Sequence, residues 1–156
     1  MRGIFLAALL LATLAVPATA QVKKQVFFGA GATAARVTGT PAIPVSGGFA
    51  LVVPLNKRIF LRPVAAGGFA KPTVPNKSAF PTLQTGGMIG FRASQNFAVL
   101  VGGAETFTFP AGKPVSKLPT LIFSSATKIS KHCGVFTPVT INARGVSASI
   151  QFGYTW

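Results

Sequence analysis

His132 and Cys133 are the one adjacent pair in this chain with nucleophile or ligand chemistry. A Cys–His hydrolase needs an imidazole that can take the thiol proton, so both side chains must reach one point. Neighbours on a strand point to opposite faces, and the surrounding sequence reads as strand, so the pair cannot readily serve a common atom. One His and one Cys also fall short of the four ligands of a structural zinc site. The pattern fits a turn histidine beside a wall-packed cysteine. Glu105 is the only acidic residue among 156. Paired-carboxylate catalysis and a carboxylate metal cage are therefore ruled out within this chain. Inside a fold, Glu105 would need a cation, and Arg62 or Arg92 are the candidates, because an unpaired buried charge is costly. Strict alternation instead sets Glu105 on the face of Val101 and Phe107. A bulge at Gly102-Gly103 would reverse that phase, and a place above a lipid boundary would tolerate it. Gly29-Ala30-Gly31-Ala32-Thr33-Ala34 fits the loose dinucleotide pattern, but neither the following helix nor an acid about 20 residues on is present. Asn76-Lys77-Ser78 is a glycosylation sequon whose use depends on the host. The residues therefore imply no catalytic centre, cofactor or resident metal, and the chain is read as a non-enzyme.

The elements that carry these residues are extended. Val146, Ala148, Ile150, Phe152, Tyr154 and Trp156 occupy alternate positions, with Ser147, Ser149, Gln151, Gly153 and Thr155 between them. On a strand this makes one apolar face ending in aromatics and one small polar face. Such a face on a soluble edge strand invites aggregation. Lipid outside and polar side chains inside would accommodate it. The same two-face pattern recurs at Phe49, Leu51 and Val53, at Leu83, Ile89 and Phe91, at Phe97, Val99 and Val101, and at Leu121 and Phe123. Turn-forming residues divide the chain into eight extended segments, at about 25–36, 43–55, 57–69, 80–92, 95–109, 118–129, 131–141 and 144–156. Pro54, Pro63 and Pro138 lie within or at the ends of segments, where proline weakens a ladder.

Composition points the same way. Hydrophobic residues make up 49% and charged residues only 10%, against ~25% charged in soluble domains. Met1-Arg2-Gly3 precedes an apolar run from Ile4 to Val16, Pro17 ends it, and Ala18-Thr19-Ala20 has the small-x-small form of a cleavage site. This predicts a signal peptide over 1–20, cleaved after Ala20, and a single β-barrel domain over 21–156. A membrane helix needs about 20 apolar residues, more than this run or any later one supplies. A closed barrel is the other structure that satisfies its backbone in lipid. The single cysteine allows no intrachain disulfide.

Fifteen Lys and Arg stand against Glu105, a formal net charge of +14. Nucleic acid is the first partner such a balance suggests. The cations are instead dispersed through expected loops and turns, and export removes the chain from most nucleic acid. Anionic membrane lipid or acidic glycolipid is the better partner, with Lys71, Lys77, Lys113 and Lys117 as contacts. Connections are short near Asn56, Ala93-Ser94, Ser130 and Asn142-Ala143, and long at 38–42, 70–79 and 110–117. Short periplasmic turns alternating with longer external loops are a feature of outer-membrane barrels.

With its leader, eight amphipathic segments and aromatic final strand, the chain resembles the small eight-stranded outer-membrane barrels of the OmpX and OmpA-barrel type. The resemblance implies an all-β, antiparallel, up-and-down transmembrane barrel in a bacterial outer membrane. It also implies that Ile150, Phe152, Tyr154 and Trp156 are read by the barrel-assembly machinery. The scarcity of acids departs from that family. In so narrow a barrel side chains fill the interior, with Gln84, Arg92, Ser124, Ser147, Ser149 and Gln151 as lumen candidates. Bulk transport is not expected, and the role falls to basic external loops in surface contact. The alternative is a soluble exported barrel or sandwich that binds a small apolar ligand or an acidic polymer, which would need a polar outer wall.

Overall fold

The computed structural model describes residues 21–35 and 41–156. The expected signal peptide and its cleavage point lie outside the described residues, as does most of the first loop. Eight strands follow in order: β1 (Lys23–Ala35), β2 (Ala42–Pro54), β3 (Ile59–Pro72), β4 (Phe80–Arg92), β5 (Phe97–Thr108), β6 (Ser116–Lys128), β7 (Cys133–Asn142) and β8 (Gly145–Thr155). Each overlaps its expected segment. Every strand pairs antiparallel with its chain neighbours, and β8 pairs with β1 from Gln25↔Thr155 to Ala35↔Gly145, so the sheet closes. Strands of 10 to 14 residues meet the roughly 9–11 residues that a tilted strand needs to cross a bilayer.

The wall is built inside out. Phe28, Val45, Phe69, Ile89, Val101, Leu121 and Ile150 are exposed on its outer face. Gly, Ala, Ser, Thr and a few larger side chains alternate with them and face in. The soluble alternative requires the opposite arrangement and is overturned by this wall. The register of β5 against both neighbours is unbroken from Ala98 to Thr108, so Gly102-Gly103 forms no bulge.

Prolines mark the ladder's interruptions. Pairing of β1 with β2 skips from Ala30↔Val45 to Thr33↔Ala42, past Pro44. The β2–β3 ladder skips past Pro63, and the β7–β8 ladder past Pro138. Each of these prolines keeps its partner on the opposite side: Ala70, Gly87 and Ser124. A residue without an N–H loses a bond on one side only.

The three connections at the end where the chain enters and leaves share one construction. In the β2–β3, β4–β5 and β6–β7 turns, two successive N–H groups donate to one carbonyl: Leu55 and Asn56 to Ile59, Ala93 and Ser94 to Phe97, Ile129 and Ser130 to Cys133. A short polar side chain then accepts the N–H groups two and three residues on. Asn56 Oδ1 does so at 2.8 and 2.7 Å, Ser94 Oγ at 3.2 and 3.1 Å, and Ser130 Oγ at 3.4 and 3.1 Å. Asn and Ser favour such turns because their side chains substitute for backbone acceptors. The fourth contact at this end is the β1–β8 seam, where Lys24 and Trp156 exchange backbone bonds of 3.0 Å. A closed ladder resists detergent, so the purified barrel in sodium dodecyl sulfate should migrate faster unheated than boiled. Identical mobility in both lanes would mean that the seam does not close.

Candidate functional site in the lumen

The inner face carries the unusual chemistry. At the turn end the lumen is filled by Phe27, Ala50, Phe60, Val64, Met88, Leu100 and Ile122, a buried cluster drawn from β1 to β6. Phe136 of β7 is buried among the inward residues on the remaining side. Arg62 of β3 sits in this apolar plug at 3% exposure. Its guanidinium carbon lies 5.1 Å from the Phe27 ring centre and 4.7 Å from that of Phe136. Aromatic faces stabilise a cation at such distances. Arg62 Nε donates to Gln25 Oε1 at 2.9 Å, and Gln25 Nε2 donates to Thr155 Oγ1 at 2.9 Å. The chain Arg62–Gln25–Thr155 thus ties β3 to the β1–β8 seam. Arg92 lies over the Phe60 ring at 5.3 Å and donates to Lys57 O, nearer the turns.

Two glycines make room for these rings. A side chain at Gly90 would collide with the ring of Phe60, and a Cβ at Gly153 would stand 2.7 Å from the ring of Phe136. Both glycines sit on inward positions of their strands.

Above the plug the lumen opens. A cavity of about 1190 Å³ runs from Arg62, Met88 and Ile122 up to Lys77, Lys113 and Arg144 at the loops. Hydroxyls and amides line its wall and bond to one another. Gln84 Nε2 donates to Thr106 Oγ1 at 3.2 Å, Thr106 and Thr120 share a 2.9 Å bond, and Thr33 Oγ1 donates to Ser147 Oγ at 3.2 Å. At the rim Arg144 Nη2 donates to Ser116 Oγ at 2.7 Å. The structure is therefore a cup with a plugged apolar base, a cationic floor and a neutral polar wall.

The expected lumen residues Gln84, Arg92, Ser124, Ser147, Ser149 and Gln151 all occupy inward positions. The proposed Glu105–Arg62 pair does not form. Alternation points Arg62 into the barrel and Glu105 outward, where Glu105 Oε1 lies 2.7 Å from Lys117 Nζ. Lys117 also sits 5.8 Å from the Phe107 ring centre. Lys71 and Lys117 belong to strands β3 and β6, not to loops, while Lys77 and Lys113 lie in the connections. His132 and Cys133 do not converge. The His132 Nδ1 atom is 2.9 Å from Thr155 O, its ring stacks on Tyr154 at 5.6 Å, and Cys133 is exposed on the outer wall. Ile150, Phe152, Tyr154 and Trp156 face outward together. Phe152 meets Phe28 at 6.1 Å, and Trp156 contacts both Tyr154 and Phe49 at 6.0 and 6.3 Å. This makes an aromatic band at the turn end of the wall.

Sequence reasoning expected Arg62 in the lumen but missed the inward rings of Phe27, Phe60 and Phe136 around it. Their signal was parity: Phe60, Arg62, Val64 and Ala66 share one face of β3.

Closure, strand number and inverted wall define the fold class: a small eight-stranded transmembrane β-barrel. Solved structures agree. The N-terminal β-barrel domain of Pseudomonas aeruginosa OprF superposes with a TM-score of 0.61 at 7% identity, covering 88% of this chain and 100% of that one. Ail, the attachment invasion locus protein of Yersinia pestis, gives 0.52 at 9% identity, with 87% and 99% covered. A de novo designed transmembrane β-barrel gives 0.58 at 16% identity, with 86% and 95% covered. No protein-family model and no curated protein sequence matches the chain.

Replacing Gly90 by Val should push the Phe60 ring off its seat. A loss of about 1–3 kcal/mol is expected, as for overpacking elsewhere, measured by urea unfolding of the barrel in lipid vesicles. An unchanged midpoint would show that the plug is loosely packed.

Proposed function

We propose that this chain is a small bacterial outer-membrane barrel that serves as a rigid mount and binds acidic glycolipid through cations at its loop end. The observation that carries this reading is the charge placement. Lys71, Lys113 and Arg144 stand at the loop end, with Lys77 in the loop after β3. The one acid of the sequence, Glu105, is already paired with Lys117. No second acidic side chain exists to offset Lys71 and Lys113, so the rim presents a positive field to phosphate or carboxylate groups. Ail offers a parallel of the same fold: it has been solved in complex with the heparin analogue sucrose octasulfate. The plugged base supports a role at the surface over bulk transport. Ile150, Phe152, Tyr154 and Trp156, all exposed on the outer wall, would carry the signal for the assembly machinery that the resemblance implies.

The test uses the barrel in zwitterionic nanodiscs and vesicles carrying an acidic glycolipid. Each cation near an anionic surface contributes about 1 kcal/mol, so Lys71→Gln with Lys113→Gln should weaken binding roughly thirtyfold. Added salt should weaken the wild type in the same direction. Binding that is absent, or indifferent to both changes, overturns the reading.

A further inference from the structure

We infer that the lumen floor is a binding site for a small inorganic anion, held against the guanidinium of Arg62. This inference stands apart from the loop reading, since it rests on the interior alone.

The argument starts from donors. A guanidinium carries five N–H groups and accepts nothing. In Arg62 one of them, on Nε, reaches Gln25 Oε1. Nη2 is buried without a partner among the described residues. Phe27 and Phe136 cover the guanidinium with their rings. Rings stabilise positive charge, but they are poor acceptors for the in-plane N–H groups. A buried cation with unmet donors is costly unless paired.

The chain has no counterion to give. Glu105 is the sole acidic side chain in the sequence, and it lies on the outer wall against Lys117. Comparable buried arginines are usually paired with carboxylates inside the same protein. Here the matching negative charge must come from solution.

The route exists. One cavity joins Arg62 to the loop mouth, and its wall presents hydroxyls and amides with no carboxylate. Lys113 and Arg144 line the upper part, so an entering anion meets cations first and Arg62 last. A second unmet donor, Thr108 Oγ1, lines the same cavity higher up. The plug below Arg62 stops the anion from passing through. The site therefore retains a halide or oxyanion and does not conduct it. Charge-assisted bonds from the guanidinium N–H groups that Gln25 leaves unmet would hold it.

The experiment follows arginine side-chain N–H resonances of the ¹⁵N-labelled barrel in zwitterionic micelles, with sodium chloride and sodium sulfate added in separate series. Saturable movement of the Arg62 resonance in either series is expected, with a parallel rise in the urea midpoint that Arg62→Gln abolishes. The chloride and sulfate series tell a halide from an oxyanion. Lys71→Gln, at a loop-end cation outside the cavity lining, should leave the Arg62 movement intact, which separates this site from the loop surface. Movement of all arginine resonances together without saturation would be plain screening and overturns the site. Movement at Arg144 with none at Arg62 overturns it too. If Arg62→Gln does not fold, the wild-type titration decides alone.

Discussion

Backbone hydrogen bonding in a medium without water is the constraint on which the rest of this structure depends. Unsatisfied N–H and C=O groups cost several kcal/mol each in hydrocarbon. With no spanning helix among the described residues, the chain satisfies them by closing a sheet, and the closing seam is β1 against β8. The remaining features adjust to that ring. Prolines that would weaken an open sheet are tolerated because each loses bonds to one neighbour only. Polar side chains at Asn56, Ser94 and Ser130 finish the turns that hold adjacent strands together.

Closure with eight strands also fixes how little space lies inside. The inward positions are therefore mostly small, and the exceptions are concentrated at the turn end. There the rings of Phe60 and Phe136 lie over Gly90 and Gly153, and Arg62 fits between Phe27 and Phe136. The Arg62–Gln25–Thr155 chain connects this plug to the seam. The same compact base that blocks passage leaves the upper lumen as an open cup. Interior chemistry and loop chemistry are thus carried by two separated regions of one rigid wall.

Much of the wall was legible in sequence. Alternation in 144–156 gave both faces of β8, and the short connections at Asn56, Ser94 and Ser130 gave the turn phase and hence which end holds the loops. Glu105 shows the limit of local reasoning. Alternation alone placed it outward, correctly, but the expectation that a lone acid must meet an interior arginine pulled it toward Arg62. Its partner Lys117 comes from the next strand, set by the β5–β6 register with Phe107 opposite Lys117. Register follows from the closure of the whole ring, which no single segment encodes. The partners of Arg62 were hidden for a related reason: its stacking rings come from β1 and β7, neither of which pairs with β3 in the ring.

The central claim is the inverted wall, apolar toward lipid and polar toward the lumen. Its most direct test places nitroxide labels one at a time from Gly145 to Thr155, in a Cys133→Ser background, and measures oxygen and water-soluble quencher access in lipid bilayers. The account predicts a period of two residues, with oxygen access highest at Val146, Ala148, Ile150, Phe152 and Tyr154. The opposite phase, or no period along β8, would contradict it.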